Sequence, residues 1–246
     1  MFLQRVTVLQ ERIESRNTYP FSIPALRELE ELEFRGNVTF FVGENGSGKS
    51  TLLEAIARQC GFHTAGGGRN NSYEVEGVEA PLADALRLSW MPKISNGFFL
   101  RAESFFQFAT YLDQLVRELP GERESIYAPY GGRSLHERSH GEAFLALFTN
   151  RFGRKGIYLL DEPEAALSPA RQLAFLRLIH QLEREGQAQF LIATHSPILL
   201  GYPGAQILNF DASPVEEIRY EETDHYVVTK RFMQDPQSYL RELFEE

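Results

Sequence analysis

The chain has 246 residues, 43% of them apolar, which is enough for a sizeable core and too many for a largely disordered protein. A net charge of −9 argues against a surface devoted to nucleic acid, although a local basic patch stays compatible with it. The one cysteine, Cys60, excludes internal disulfides; no apolar run approaches the ~18 residues of a bilayer span and Met1-Phe2-Leu3-Gln4-Arg5 lacks a signal-peptide layout, so a cytoplasmic location without direct membrane insertion is expected.

In chain order, Phe2 to Ile13 alternates loosely and reads as an opening strand. Asn17 to Pro24 reads as a loop, and the acidic stretch from Leu26 to Phe34 is ambiguous. Val38 to Val42 is a buried strand, followed by the glycine-rich Gly43–Thr51 and a helix through Ala57. Gly61 to Gly77 reads as a mobile surface loop. Phe98 to Arg101 reads as a short strand, and Ser104 to Leu119 as a helix closed by Pro120-Gly121. Tyr127 to Arg138 reads as loop, Gly141 to Phe152 as a helix stopped by Gly153, and Ile157 to Leu160 as a buried strand. Ser168-Pro169 opens a helix through Glu185, with Ser at the N-cap, Pro in the first turn and Gly186 beyond the end. Phe190 to Ala193 and Ile207 to Phe210 are further strands, and Ser238 to Glu246 a short amphipathic helix. Strands alternating with helices predict a mainly parallel sheet covered on both faces, with no internal repeat and no heptads.

Five segments carry chemistry. Gly43-Glu44-Asn45-Gly46-Ser47-Gly48-Lys49-Ser50-Thr51 fits G-x-x-x-x-G-K-[ST], placed between a strand and a helix. Its glycines let backbone N–H groups close around phosphate oxygens, with Lys49 reaching the terminal phosphates and Ser50 ligating Mg2+. Asp161 ends a buried strand, where an acid can hold Mg2+, and Glu162 follows as a general base for water. Ala165-Ala166-Leu167-Ser168-Pro169 is a helix start directly after the acidic pair. His195, after a buried strand, can contact a γ-phosphate. Ser139-His140-Gly141-Glu142 opens a helix and makes a second anion site, which a dimer would explain.

Together these segments resemble the ATP-binding cassette (ABC) ATPase superfamily over roughly residues 35–210. Gly43–Thr51 is similar to its Walker A motif, and Ile157–Glu162 to its Walker B motif with the catalytic glutamate. Ala166–Pro169 is similar to the D-loop and Thr194–Ser196 to the switch histidine. Ser139–Glu142 resembles a variant of the LSGGQ signature, with His140 for a small residue and Glu142 for Gln. The intervals fit: 90 residues from Lys49 to Ser139, 22 on to Asp161 and 34 on to His195. The resemblance implies an α/β P-loop NTPase fold with a mainly parallel central sheet, N-terminal antiparallel strands and a helical subdomain carrying the signature. It implies one ATPase domain over 1–246, with a helical subdomain at about 62–152 and a C-terminal extension at 211–246.

The resemblance further implies ATP and Mg2+ as cofactors, bound by Gly43 to Thr51, Ser50 and Asp161, and hydrolysis served by Lys49, Glu162 and His195. The nucleotide would be sandwiched in a head-to-tail dimer by Ser139, Gly141 and Ser168 of the facing copy. Glu103 and Gln107 are the candidates for the family's glutamine loop, Glu103 as a metal ligand, and Tyr19 or Phe21 for the adenine-stacking aromatic. His63, His136, His180 and His225 show no partner pattern and read as structural. The motif variants look most like stand-alone AAA/ABC-like ATPases, compact relatives of chromosome-maintenance and recombination-type heads and of the overcoming-lysogenization-defect ATPases. The short interval before Ser139 leaves no room for long coiled-coil arms, and the roughly 36 residues after Phe210 leave none for a fused nuclease. Work on DNA, or on a partner protein or effector in genome defence, is therefore expected. A transporter's energy subunit and a nucleotide-gated scaffold are the alternatives.

Overall fold

The computed structural model describes residues 1–62, 80–151 and 155–245, without the His140 side chain. Most of the predicted glycine-rich loop (63–77) and the predicted helix stop Gly153 lie outside the described residues.

In chain order the elements are β1 (Leu3–Val8), α1 (Pro24–Arg27), β2 (Glu31–Glu33), β3 (Val38–Val42), α2 (Lys49–Gln59), α3 (Pro81–Asp84) and β4 (Leu86–Trp90). There follow β5 (Gly97–Arg101), α4 (Phe105–Glu118), α5 (Arg123–Tyr127), α6 (His140–Arg151), β6 (Gly156–Asp161) and α7 (Pro169–Arg184). Last come β7 (Ala188–Ala193), α8 (Pro197–Leu200), β8 (Gln206–Asn209), β9 (Glu216–Glu217), α9 (Asp224–Gln234) and α10 (Pro236–Phe244). The strands make a six-stranded sheet in the order β5-β6-β7-β3-β8-β9, parallel except for β9, and an antiparallel sheet in the order β2-β1-β4.

The central strands are apolar on both faces because both faces are covered. Phe40, Tyr158, Leu160, Phe190 and Ile192 point to one face, where they pack with residues of α4, α6 and α7. Phe41, Ile157, Leu159, Leu191 and Ala193 point to the other, against α2 and the antiparallel sheet. Gln189, a polar residue inside β7, joins the two sheets. Its Oε1 accepts the N–H groups of Phe2 and Leu3 at 2.9 and 2.8 Å, and its Nε2 donates to the Leu3 carbonyl at 2.8 Å. At Gly97 the strands come so close that a Cβ would sit 2.2 Å from the Ile157 carbonyl oxygen.

Four expectations need correction. The helical subdomain does not start near residue 62: Leu86–Trp90 pairs with β1 and Gly97–Arg101 pairs with β6, so the helical lobe begins at Phe105. The stretch from Tyr127 to Arg138 is not plain loop, since Ala128–Tyr130 and Leu135–Glu137 are 3-10 turns fastened through the Ser134 hydroxyl to Asp113 at 2.8 Å. Ser168 occupies the N-cap of α7 but makes no capping bond with its side chain. The C-terminal stretch holds more than the expected Ser238–Glu246 helix, which is present as α10: α9 precedes it from Asp224, and because α9 and α10 bury no residue, no periodic core signal announces α9.

Candidate functional site

Parallel strands β6, β7, β3 and β8 end along one edge of the sheet. Phe41 pairs with Ala193, Asp161 with Ala193, and Val42 with Asn209. The segments that follow these residues therefore meet in one row, the usual place for a ligand in an open α/β sheet.

The first segment is the glycine loop. Gly43, Gly46 and Gly48 have φ of 140°, 85° and 104°, which side chains rarely adopt. Lys49 is buried, and its Nζ donates to the carbonyls of Gly43 and Glu44 at 2.7 and 2.8 Å. Burial lowers its pKa, opposed most by Asp211. The Asp211 carboxylate accepts the Glu44 N–H at 2.8 Å and so ties the loop to the end of β8. Sequence reasoning missed Asp211; its only signal is an acid just beyond the last apolar strand.

The second segment is acidic. The Ser50 hydroxyl donates to Asp161 Oδ1 at 2.9 Å, and Arg101 Nε donates to Oδ2 at 2.7 Å. The buried Asp161 is thus neutralised by a residue that sits opposite it in register on β5. Ser50 and Asp161 offer hard oxygen donors side by side, a set that suits Mg2+ completed by phosphate and water. Glu103 lies near enough to burden Glu162 and support Arg101 by its charge, but among the described residues no hydrogen bond or ion pair joins it to Ser50 or Asp161. Gln107 is exposed on α4.

Glu162 has φ 52°, the one non-glycine with positive φ among the described residues. That conformation is strained, and such strain clusters at functional sites. Burial, then the charge of Asp161, pushes its carboxyl above the usual range, which suits a general base. His195 Nε2 stands 3.7 Å from Glu162 Oε1 and has no hydrogen bond. The His195 backbone N–H donates to Glu164 Oε1 at 2.6 Å. Glu164 is half-buried as a residue, yet its Oε2 is sealed from solvent without a partner, and burial raises its pKa. His195 Nδ1 lies 2.9 Å from Nε2 of His225. His225 was read as structural; it sits 30 residues away in sequence, where no motif spacing could place it.

Ser139 lies apart from this row, at the start of α6. Its N–H donates to Glu142 Oε2 at 3.1 Å, a capping arrangement that explains an acid at this position. Arg171 of α7 approaches both Glu142, at 3.7 Å, and the Ser139 hydroxyl, at 3.5 Å. Ser139 and Ser168 are exposed. Gly141, expected on the same surface, is instead buried: a Cβ there would lie 2.2 Å from Arg171 Nη1 and 3.0 Å from the Ala166 carbonyl oxygen. Of the two aromatic candidates, Phe21 belongs to the core, whereas Tyr19 is 70% exposed with its hydroxyl 3.3 Å from Thr51 Oγ1. Tyr19, Pro20, Thr51, Glu54, Arg58 and Pro81 line an open cavity of about 350 Å³. His136 and His180 meet Thr110 and Tyr202, away from this row, and His63 lies outside the described residues.

Comparison with known proteins bears on the family and the fold. Residues 13–87 match an AAA domain family model, and residues 132–201 match a second one described as “AAA domain, putative AbiEii toxin, Type IV TA system”. The chain is 26% identical to the high-affinity branched-chain amino acid transport ATP-binding protein BraG of Pseudomonas aeruginosa, over 72% of this chain and 78% of BraG. It is 30% identical to the hemin import ATP-binding protein HmuV of Nocardia farcinica, over 73% of this chain and 66% of HmuV. Among solved structures, an ATP-binding cassette of an ABC transporter superposes with a TM-score of 0.53 at 17% identity, covering 96% of this chain and 97% of that one.

Proposed function

The chain belongs to the ABC-type P-loop ATPases, and from that premise we propose that it works as a Mg2+-dependent ATP switch whose two copies close head to tail on nucleotide and open after hydrolysis. The observation that carries this reading is the meeting of Lys49, Ser50, Asp161, Glu162 and His195 at the ends of β3, β6 and β7.

In this reading the glycine loop and Lys49 hold the β- and γ-phosphates, and Lys49 exchanges its carbonyl partners for phosphate oxygens. Ser50 and Asp161 would hold Mg2+, whose charge offsets that building on the phosphates in the transition state. Glu162 takes a proton from the attacking water, and His195 Nε2 faces the γ-phosphate. Tyr19 covers the base. Ser139 and Ser168 face the partner copy's nucleotide, and the partner reaches Gly141 only if Arg171 gives way. Domain organisation follows the same plan: one cassette, a helical lobe from Phe105 to Arg151 bearing the signature, and a C-terminal extension beyond Phe210.

The work done by the switch is proposed on two grounds. The family description of residues 132–201 favours action on a partner or effector in genome defence, with DNA as one possible target. The transport proteins BraG and HmuV favour a second reading, the energy subunit of a membrane transporter. No helix among the described residues is long and apolar enough to cross a membrane, so in that reading the membrane part would belong to another chain. The test of the switch is the solution mass of Glu162→Gln by light scattering, with and without Mg-ATP. A nucleotide-dependent shift from monomer to dimer supports it; tight ATP binding with no shift contradicts the homodimer.

A further inference from the structure

We infer that His225 is a positioning residue for His195, donating its Nε2 proton to His195 Nδ1 and thereby presenting His195 to the nucleotide as an Nε2–H donor. The inference rests on the proposed place of His195 at the γ-phosphate, but its geometry stands apart from that reading.

The C-terminal helices α9 and α10 bury no residue of their own and expose Val228, Met233 and Phe244. They are fastened to the body at one end, and that end carries His225. Thr223 there is 1% exposed; its hydroxyl donates to the Tyr220 carbonyl at 2.8 Å and accepts the Tyr226 N–H at 3.2 Å, capping α9. The Tyr220 hydroxyl in turn donates to the Pro197 carbonyl at 2.8 Å, two residues past His195. The Tyr220–Pro197 bond and the Thr223 cap therefore bring the start of α9, with His225, against the His195 segment.

A nitrogen pair 2.9 Å apart shares one proton when both rings are neutral. Burial lowers the pKa of each, helped at His195 by Lys49 and at His225 by His195 itself, which favours the neutral form of both rings. Which ring donates is decided on the far side of His195. Its Nε2 faces the Glu162 carboxylate at 3.7 Å, while in the wider surroundings the charges of Glu44, Asp161 and Asp211 oppose that of Lys49. A bare lone pair at Nε2 would point at that carboxylate and at any phosphate; an N–H is attracted to both. With the proton on Nε2, His195 Nδ1 must accept, and His225 Nε2 must donate. The backbone bond from His195 to Glu164 restrains the main chain that carries the ring.

Two measurements test this. In nitrogen-15-labelled wild-type protein at pH 8 without nucleotide, a scalar coupling across the hydrogen bond should link His225 Nε2 and His195 Nδ1, with the proton on His225. A proton on His195 Nδ1, or no coupling, overturns the proposal whatever the protein's enzymology. In steady-state assays His225→Leu should lower kcat at least about tenfold while KM for ATP stays within about twofold. His225→Gln, which keeps a donor, should recover most of that loss. Equal rates for wild type and His225→Leu also overturn the proposal but leave the ATPase reading intact. The coupling without any turnover in wild type would sustain the hydrogen bond and sink the ATPase reading instead.

Discussion

Asp161, Glu162, Thr194 and His195 meet because β6 and β7 pair in parallel with Asp161 opposite Ala193, inside a sheet buried on both faces. His225 meets them by another route: it is carried on a helix with no fully buried residue, at the end fastened through Tyr220 and Thr223. One region takes its geometry from backbone register, which many residues enforce together. The other takes it from two side-chain anchors. Strand-end chemistry should therefore tolerate change in the surrounding surface and fail only with its own residues or its core. The C-terminal contact should be easier to release.

The contrast can be broken most sharply at Lys49. Lys49→Ala should leave the fold intact, because its bonds go to backbone of its own loop, and should cut ATP turnover by about three orders of magnitude. Circular dichroism beside a phosphate-release assay checks both halves. Next, Phe21 and Tyr19 should separate stability from binding although they are two residues apart. Phe21→Ala should cost about 3–5 kcal/mol in denaturant unfolding, since Phe21 is buried in the core beneath the loop. Tyr19→Ala should leave stability alone and weaken nucleotide binding by about tenfold, measured by titration calorimetry. Gln189→Leu should cost about 2–4 kcal/mol by stranding the N–H groups of Phe2 and Leu3. An unchanged midpoint there would mean that the antiparallel sheet is held against β7 by packing alone.

The smallest expected effect is electrostatic. The folded-state pKa of Glu162 is raised by burial and by Asp161, so its ionised form weighs against the fold. Its contribution is present below the ordinary carboxylate range and is lost as pH rises through the raised value. Without nucleotide or Mg2+, Glu162→Gln should melt higher than wild type at pH 8, and the gap should close as pH falls below that range. A gap independent of pH would assign the effect to the strained backbone at Glu162 instead.

The strand-end row was legible because each part has a local signal: an apolar run of strand length, then a residue of fixed chemistry. Gly43 to Thr51, Asp161-Glu162 and His195 all have that form. Asp211 has the same form, an acid just past the last apolar run, but belongs to no motif; His225 lacks it, since a histidine on an exposed helix owes its place to a long-range contact. Strand β4 carries the alternation of a half-buried strand, Leu86, Leu88 and Trp90 about Arg87 and Ser89, but over only five residues, too short a run to stand out. The choice between Tyr19 and Phe21 also lay beyond sequence, because both sit in one loop and only packing sends Phe21 inward. Gly141 shows the converse, a residue whose motif suggests a surface and whose neighbour Arg171 covers it.

The most direct measurement is Mg2+-dependent ATP hydrolysis by wild type and Glu162→Gln, with nucleotide affinity determined on the same samples. The expected result is turnover by wild type, loss of about a hundredfold or more in Glu162→Gln, and affinity for Mg-ATP unchanged within about threefold. Hydrolysis at the wild-type rate by Glu162→Gln, or failure of both proteins to bind Mg-ATP, would contradict the assignment of the strand-end row as the catalytic site.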